Sequence, residues 1–438
     1  MNSSASQHIS LILNFLNEQA DYAVLRNYED LPDSNKSRDI DIIITKQSLR
    51  KIKDSFLQMI EENGWKIVTY LNSDRLITYV LSVGGQDKVE LVQWDFFINT
   101  SVWGIQLMSA EEFLQARQFN GTLYYVDIGC QFLDKYLYNR AVGSAYPEKY
   151  ASTRAATEDT PMVKQKLKDI FGINSTQEGD SIKGSRLLWR SIKWNLKHRP
   201  AKTVADVARF IYTFTANYFT GTGFSIGFTG PDGSGKTTVI ETMIDQLGPV
   251  FRKAHVYYHF RPTLFGNISD VAHSAGLKKE VDKNYDQPHR GGKTGKVSSL
   301  LRLLYYTTDY ILGYFIKVKR TTRITRLAIF DRYYTDIICD SRRSRIYLSK
   351  KFLYTFGRLL IPKLDYNILL TASTDTIMSR KGELDKEGIE TINAKIDFLA
   401  SKKGFLKVTN DNKPEDAVRK ILEHVFQRQH EKNRKRIG

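Results

Sequence analysis

A glycine-rich segment lies between a hydrophobic stretch and a helix-like stretch, and its residue types are suited to binding phosphate. Residues 230–237 read Gly-Pro-Asp-Gly-Ser-Gly-Lys-Thr, which matches the Walker A pattern G-x-x-x-x-G-K-[ST]. In such a loop the backbone N–H groups and the positive end of the next helix surround the phosphates of a nucleotide. The pattern predicts that Lys236 reaches the β- and γ-phosphates and that the Thr237 hydroxyl binds Mg²⁺.

The whole loop is expected to hold the nucleotide, because both the backbone and the side chains of such a turn face the phosphates. A glycine-rich turn that binds nothing is the competing interpretation, and the predicted strand at Phe224–Thr229 and the helix-like sequence after the loop argue against it. The residues expected to bind nucleotide are Gly230, Asp232, Gly233, Ser234, Gly235, Lys236, Thr237 and Thr238.

A second group of charged residues follows later predicted strands. Asp331 and Arg332 come directly after the apolar run 327–330, at the carboxyl end of a predicted strand, where ligands bind in open α/β sheets. Asp331 is expected to bind Mg²⁺ or the acceptor, and Arg332 to bind a phosphate; the alternative is a strand-end salt bridge. Arg380, on the helix after the next strand, is expected to close over transferring phosphates, although a solvated charged helix explains it equally well.

Three carboxylates form a separate candidate site near the start of the chain. Asp39 and Asp41 are two apart on a predicted strand and therefore leave the same face, and Asp95 lies in a second predicted strand at 88–97. Three clustered carboxylates can hold two Mg²⁺ ions that activate a hydroxyl and stabilise a leaving pyrophosphate. A degenerate or sensing domain is the alternative interpretation.

The elements that must position these residues are α/β in pattern. Residues 1–150 indicate a small mixed α/β domain, and residues 151–220 a basic helical connector. Residues 221–430 alternate strand and helix, which predicts a parallel sheet with crossover helices, and 431–438 form a basic tail, frayed over 432–436. The strands predicted for the third segment are 224–229, 254–259, 327–331, 366–371 and 405–409.

The composition excludes several classes of protein. Hydrophobic residues make up 41% of the chain, which is enough for packed cores, and two cysteines far apart in sequence cannot build a disulfide framework. No apolar run is long enough to span a bilayer, and no signal sequence is recognised, so we expect a cytoplasmic protein.

The net charge of +17 calls for an anionic partner: a phosphorylated substrate, an anionic membrane face or, less favoured, nucleic acid. Residues 183–212 carry eight cations and the single acid Asp206, with Leu and Trp between them. This segment is either a helix packing its apolar stripe or a weak membrane-surface contact that would make the protein peripheral to the inner face of the membrane.

The segment from 222 to 430 resembles thymidylate kinases and related P-loop nucleoside monophosphate kinases. The residues that carry the resemblance are 228–238, with Asp232 where the family has Asp or Glu, and the motif Asp331-Arg332-Tyr333. The resemblance implies ATP and Mg²⁺ as cofactors, an acceptor phosphate on Arg332, and a lid whose basic residues would be Arg380 and Lys381.

The departures from the family concern the acceptor. Where the family has Arg-Glu-Pro-Gly, this chain keeps Arg261 and Pro262 without the acid, and several arginines follow the Asp331 motif. The acceptor is therefore left open among nucleotides, sugars and sugar phosphates. The same pattern is similar to thymidylate-kinase-like proteins of bacterial surface-polysaccharide synthesis.

Residues 20–105 resemble the nucleotidyltransferase superfamily of the DNA polymerase β type, in which two acids on one strand are joined by a third. The Gly-Ser dipeptide that normally precedes the acids is missing here, so Arg26 or Arg38 would have to replace it as the triphosphate cradle. The sequence thus predicts an ATP-dependent kinase of small acceptors with a second, nucleotidyltransferase-like head. The alternative is a nucleotide-binding switch, or a membrane- or nucleic-acid-associated module, with little turnover; the oligomeric state stays open.

Overall fold

The computed structural model describes residues 4–84, 89–252, 254–264, 295–380 and 385–438. The chain divides into two compact units, Met1–Asn217 together with Gln429–Gly438, and Tyr218–Arg428. Both units combine helices with a sheet, so the α/β fold class predicted from the sequence is confirmed.

The first unit is built on a mixed sheet with the order β3-β4-β5-β2-β1-β9-β8. The central strand β2 pairs antiparallel with β1 and parallel with β5. The strands of this sheet are β1 (Tyr22–Val24), β2 (Asp39–Ile44), β3 (Lys66–Asn72), β4 (Leu76–Ser82), β5 (Leu91–Phe97), β8 (Arg117–Phe119) and β9 (Tyr124–Val126), and a separate hairpin joins β6 (Asn99–Val102) to β7 (Ile105–Ser109).

Helices cover both faces of this sheet, as the alternation in β2 requires. Ile40, Ile42 and Ile44 pack into one core with α1 and α2, whereas Ile43, on the opposite face, packs into a second core with α4. The helices of this unit are α1 (Ser4–Gln19), α2 (Lys46–Glu62), α3 (Ala110–Gln115), α4 (Ile128–Ala141), α5 (Ala151–Thr157), α6 (Pro161–Phe171), α7 (Thr176–Ser181), α8 (Gly184–His198) and α9 (Pro200–Thr220), the last of which ends in the second unit.

The basic segment 183–212 lies in α8 and α9. Leu187 and Leu188 are buried in the core around α4, while Trp189 is 56% exposed and Tyr212 72% exposed. The apolar stripe of α8 thus packs inside the first unit, and aromatic side chains stay at its surface.

The second unit contains a parallel sheet with the order β11-β12-β10-β13-β14. All five strands were predicted from the sequence, with bounds within one residue. They are β10 (Phe224–Thr229), β11 (His255–His259), β12 (Leu327–Asp331), β13 (Tyr366–Thr371) and β14 (Phe405–Thr409).

Central strands β10 and β12 are buried along their whole length, as expected when helices cover both faces of a parallel sheet. The helices are α10 (Lys236–Gln246), α11 (Gly248–Arg252), α12 (Lys296–Gly313), α13 (Lys319–Thr322), α14 (Tyr334–Cys339), α15 (Ser341–Ser344), α16 (Lys350–Leu360), α17 (Thr374–Arg380), α18 (Lys386–Ala400) and α19 (Pro414–Ile437). A π-helical turn, Tyr314–Val318, joins α12 to α13.

The expectation of a frayed tail at 432–436 is wrong. Helix α19 continues to Ile437, and its last residues belong to the first unit. Asn433 is buried, and its side-chain amide donates to the carbonyls of Ile67 (3.0 Å) and Val68 (3.2 Å). Satisfying these backbone oxygens of β3 keeps the helix in place despite its many cations.

In the part of the chain that the structure describes, no helix is both long and apolar enough to cross a membrane.

Candidate functional site

The glycine-rich loop connects the carboxyl end of β10 to the first turn of α10, as the Walker A pattern requires. Gly233 and Gly235 have φ angles of 87° and 83°, in the left-handed region that favours glycine. A Cβ on Gly230 would clash with the carbonyl oxygen of Leu370 on the neighbouring strand β13. The glycines of the motif are therefore needed for the shape of the loop and for its close approach to the sheet.

Lys236 is folded back over this loop. Its Nζ donates to the carbonyl oxygens of Gly230 (2.8 Å) and Pro231 (2.9 Å), and the residue is only 6% exposed. Burial, together with the positive charge of Arg332, lowers the pKa of the Lys236 amine to about 7, although nearby carboxylates oppose this shift. The structure thus holds a buried amine at the loop.

Asn410 supports the loop from the end of β14, a role that the sequence did not indicate. Its side-chain amide donates to the Ser234 carbonyl oxygen at 2.9 Å. The Ser234 hydroxyl is buried and has no hydrogen-bond partner among the described residues. A buried hydroxyl without a partner in a glycine-rich loop can donate a hydrogen bond to an anion, such as a phosphate oxygen.

Thr237 and Thr238 lie in the first turn of α10, and both are exposed. Backbone N–H groups of a first helical turn have no partner within the helix, and the helix dipole places positive charge there. The loop, Lys236 and this turn together provide the donor set that a polyphosphate needs.

Asp331 lies at the carboxyl end of β12, directly opposite Phe228 of β10. Its Oδ2 accepts a hydrogen bond from the Tyr257 hydroxyl at 2.8 Å, and the His259 Nδ1 lies 3.7 Å from the same oxygen. Burial alone would raise the pKa of this carboxyl, but the hydrogen bond from His259 and the charge of Lys236 lower it to about 2. The carboxylate is therefore ionised at neutral pH.

The second oxygen of Asp331, Oδ1, is buried and has no hydrogen-bond partner in the described part of the chain. An ionised carboxylate with an unpartnered oxygen, beside a loop for phosphates, fits Mg²⁺ or its water ligands. The sequence did not indicate the two residues that orient Asp331, Tyr257 and His259. The parallel register of β11, which sets His259 opposite Asp331, explains their position.

Arg332 joins the loop to the helix after β12. Its Nη2 pairs with Asp232 of the loop and its Nη1 with Asp336 at 2.8 Å, and all three side chains are buried. The other oxygen of Asp232 pairs with Arg343. The two arginines of the predicted acceptor side are thus linked to the loop through a single carboxylate.

Arg261, kept from the family's second motif, is buried against an acid from another element. Its Nη1 lies 2.8 Å from Asp309 Oδ2, and its guanidinium lies 4.6 Å from the centre of the Tyr306 ring. The acid that pairs with Arg261 therefore comes from α12. Spacing along the chain gave no signal for this pair.

Arg380 lies beside the glycine-rich loop. Its Nη1 donates to the Asn410 carbonyl oxygen at 2.9 Å, and it would lie 3.7 Å from a Cβ placed on Gly235. The structure thus brings Arg380 near the loop, as predicted. Lys381, the other predicted lid residue, lies outside the described residues.

The three carboxylates of the first unit come together as predicted. Asp41 of β2 lies directly opposite Asp95 of β5 in the parallel register, and carboxylate oxygens of Asp39, Asp41 and Asp95 lie within 4.8 Å of one another. Burial and the neighbouring acids raise the pKa of Asp95 to about 7. Burial raises the pKa of Asp41 to about 6, although the charge of Arg26 opposes the shift.

Arg26 is bound to these acids. Its Nη2 lies 2.7 Å from Asp41 and its Nη1 2.9 Å from Asp134, and both contacts are largely buried. Arg26 therefore neutralises part of the negative charge of the cluster. Because its guanidinium is bound to two carboxylates, it does not fit the triphosphate-binding role that the sequence suggested for it. Arg38 is exposed.

The donor set of this cluster fits a divalent cation. Two of the three carboxylates are almost completely buried, and burying like charges together is costly unless a cation or a proton compensates them. Hard oxygen ligands at this spacing are those that Mg²⁺ and Mn²⁺ prefer. Asp95 is oriented by hydrogen bonds from Thr78 (2.6 Å) and Gln93 (3.0 Å).

No protein-family model and no curated protein matches the chain. Among solved structures, the chain is similar to a thymidylate kinase from Ehrlichia chaffeensis, with 16% sequence identity and a TM-score of 0.32. The similarity covers 46% of this chain and 98% of the thymidylate kinase. At this TM-score it assigns neither a substrate nor a mechanism.

Proposed function

We propose that the second unit is an ATP-dependent phosphotransferase of the P-loop kinase type, which transfers the γ-phosphoryl group of ATP to a small acceptor. The observation that carries the proposal is the meeting of Lys236, Asp331 and Arg332 at the carboxyl ends of two adjacent central strands. A protein that only binds a nucleotide would need Lys236 of the loop but neither Asp331 nor Arg332. A carboxylate and an arginine joined to the loop are what phosphoryl transfer to a second substrate needs.

The residues of the loop bind the donor in this proposal. Backbone N–H groups of 230–237 and the Lys236 amine, which takes up a proton when phosphates approach, neutralise the β- and γ-phosphates. Arg380 approaches the same loop and adds positive charge where charge develops during transfer. Thr237, and Asp331 directly or through water, would hold Mg²⁺, which would supply neutralising charge to the donor phosphates.

The acceptor is bound on the side of Arg332 and Arg343. Asp232 holds both guanidinium groups, and an incoming phosphate or hydroxyl would share them with this carboxylate. This set of cations favours an acceptor that already carries a phosphate: a nucleoside monophosphate or a sugar phosphate, the latter consistent with a role in surface-polysaccharide synthesis.

The test uses ATP labelled separately at the α and γ phosphorus, with Mg²⁺ and a panel of nucleoside monophosphates, sugars and sugar phosphates. We expect γ label in one class of acceptor, and its transfer is expected to be lost in Lys236→Ala. Lys350→Ala, which removes an exposed lysine on α16, is the matched control and is expected to keep the activity.

Two results would contradict the kinase proposal. Transfer that survives Lys236→Ala would exclude the loop as the donor site. ATP binding without transfer to any acceptor would instead favour a nucleotide-dependent switch, the alternative that the sequence left open.

For the first unit we propose a divalent-cation site with a nucleotidyl-transfer function as the second candidate. The supporting observation is the cluster of Asp39, Asp41 and Asp95 within 4.8 Å. Its residues would hold the cations, and a bound pair of cations would activate an acceptor hydroxyl and neutralise the leaving pyrophosphate. The pairing of Arg26 with Asp41 argues for a weaker site than three free carboxylates would give.

The α label tests this second candidate in the same reaction mixtures. Incorporation of α label into a product, lost in Asp39→Ala/Asp41→Ala but kept in Lys236→Ala, is expected if the cluster transfers a nucleotidyl group. No α label in any product, with Mn²⁺ still bound by the wild type and not by the double variant, would leave a cation site without transfer.

A further inference from the structure

A cavity of about 220 Å³ opens between α2 and the sheet of the first unit. Its inner wall is apolar and rich in aromatic rings, and the rings of Phe56, Tyr79 and Phe96 contact one another edge to face. The apolar residues that line the cavity include Ile52, Phe56, Ile77, Tyr79, Phe96 and Ile98.

The mouth of the cavity is cationic. Among the residues that the structure describes, five basic side chains line the cavity, and no Asp or Glu does. They come from three parts of the first unit: α2, α9 and the end of α19. These residues are Lys46, Arg50, Lys53, Arg209 and Arg436.

Nearby acids compensate these charges only in part. Lys46 lies 3.6 Å from Asp206, and Asp74 acts on Arg209 electrostatically. Burial lowers the pKa of Lys46, and the charges of Arg209 and Lys202 act in the same direction, whereas Asp206 opposes the shift. Burial also lowers the pKa of Arg436. Burial of Lys46 among other cations is costly, and an anion at this position would stabilise it.

Arg209 provides a second sign of an incomplete site. Its Nε is buried and has no hydrogen-bond partner among the described residues. Guanidinium groups bind phosphate through paired, parallel hydrogen bonds, which makes arginine the preferred residue for phosphate recognition. Arg50 and Arg436 line the same mouth, so a phosphate there would meet several such donors.

The cavity is separate from the carboxylate cluster. Phe96, which lines the cavity, follows Asp95 in β5, and successive side chains of a strand leave opposite faces of the sheet. The cluster and the cavity therefore lie on opposite faces of the same sheet. A ligand of the cavity does not compete with a cation bound by Asp39, Asp41 and Asp95.

We propose that this cavity binds a phosphomonoester with a small aromatic or aliphatic body, the body against the aromatic wall and the phosphate among the cations of the mouth. Its volume lies below the range of roughly 300–1,000 Å³ that is usual for drug-sized ligands, so the body is no larger than about one ring or a short chain segment. Such a group occurs in soluble aryl phosphates and in the headgroup region of phosphatidic acid.

The test measures binding of phenyl phosphate to the full chain by isothermal titration calorimetry, with phenol and inorganic phosphate as partial ligands. We expect phenyl phosphate to bind more tightly than either partial ligand, because only it uses both the wall and the mouth. Arg50→Gln/Arg209→Gln is expected to weaken phenyl phosphate by about 100-fold, since each lost charge-assisted hydrogen bond is worth about tenfold.

A matched control comes from exposed lysines of the same unit. Lys51→Gln/Lys197→Gln removes the same number of charges, from α2 and α8, but does not touch the lining of the cavity. This control is expected to bind phenyl phosphate like the wild type. Ile77→Trp fills the cavity without changing its charge, and it is expected to abolish binding even if the arginine variant proves unstable.

A second binding experiment, with vesicles that contain phosphatidic acid, distinguishes a soluble phosphomonoester from a lipid as the ligand. Binding of phenyl phosphate indicates a soluble ligand. If the protein binds the vesicles but not phenyl phosphate, and the arginine variant loses this binding while the lysine control keeps it, the ligand is the lipid. No binding of either probe, or an equal loss in both charge variants, would overturn the proposal.

Discussion

Arg332 combines an unusual backbone with two buried ion pairs. Its φ of 75° is in the left-handed region, which costs a residue with a side chain roughly 1–3 kcal/mol. The pairs with Asp232 and Asp336 oppose this cost, since both carboxylates are buried and would otherwise lack a cation within the motif. The strain thus lies at a residue that connects the glycine-rich loop to α14.

We expect Arg332→Ala to lower the free energy of unfolding of the second unit by about 3–5 kcal/mol, because it removes the cation paired with buried Asp336 and one of the cations paired with Asp232. Arg332→Lys is expected to recover little of this loss, since one ammonium group cannot reproduce a fork that reaches two carboxylates. Urea unfolding followed by circular dichroism measures the effect. Arg342→Ala, an exposed neighbour, is the control; equal stability of the two alanine variants would contradict the argument.

At the residue scale, the sequence predicted which residues of each motif lie together but not the partners that orient them. The spacing of Gly230, Lys236 and Asp331 was sufficient to predict that they meet. The contacts of Asp232 with Arg343 and of Arg261 with Asp309 join residues 111 and 48 positions apart. Such pairs depend on how helices cross the sheet, which no local pattern encodes.

His8 lies on α1 where this helix packs on the first sheet. Its Nε2 accepts a hydrogen bond from the Trp94 indole at 2.9 Å, and its ring lies 4.1 Å from that of Trp65. Burial lowers the pKa of His8 to about 3 from an ordinary value of 6.5. The packing of α1 therefore requires a neutral imidazole.

The pH dependence follows from this lowered pKa. The unfolded chain binds a proton at His8 below pH 6.5 and the folded chain does not, so stability is complete above about pH 6.5 and falls as the pH drops toward 3. The slope from this one group approaches about 1.4 kcal/mol per pH unit. We expect His8→Leu to remove this part of the decline in urea unfolding at pH 7.5 and 5.5. His198→Leu, an exposed histidine, serves as the control, and an unchanged decline in His8→Leu would disprove the argument.

Strands were predicted better than helix ends because hydrophobic runs in a buried sheet are local signals. β12 follows directly from the apolar run before Asp331, and β2 from the alternation of Asp and Ile. The end of α19 was missed because its cations indicated solvent. In the structure, polar residues of this end, among them His430 and Asn433, bind β3.

The whole chain carries a net charge of +17, and segment 183–212 concentrates part of it beside exposed aromatic residues. We propose that this segment contacts anionic membrane surfaces weakly. Cations near such a surface contribute about 1 kcal/mol each, an effect that salt screens. We expect binding to phosphatidylglycerol vesicles at low salt, weakened by salt and by Trp189→Ala/Tyr212→Ala.

Phosphatidylcholine vesicles and duplex DNA are the comparisons for this experiment. Neutral vesicles are expected not to bind, since the attraction is electrostatic. Tighter binding to DNA than to anionic vesicles, unaffected by the aromatic substitutions, would contradict the membrane proposal and favour a nucleic-acid partner.

Each of the two units has its own hydrophobic core and its own candidate ligand, and this makes their stabilities separately testable. A ligand that binds only the folded form raises the stability of the unit that holds it, by about 2.7 kcal/mol at a concentration 100 times its Kd. We therefore expect two transitions in scanning calorimetry, and we expect ATP with Mg²⁺ to raise that of the second unit. Lys236→Ala is expected to remove this shift, whereas Asp95→Asn, which relieves buried like charges in the first unit, is expected to raise only the other transition. If ATP with Mg²⁺ and Asp95→Asn instead shift one and the same transition, the two units unfold together. Effects on stability would then no longer identify the unit in which a ligand binds.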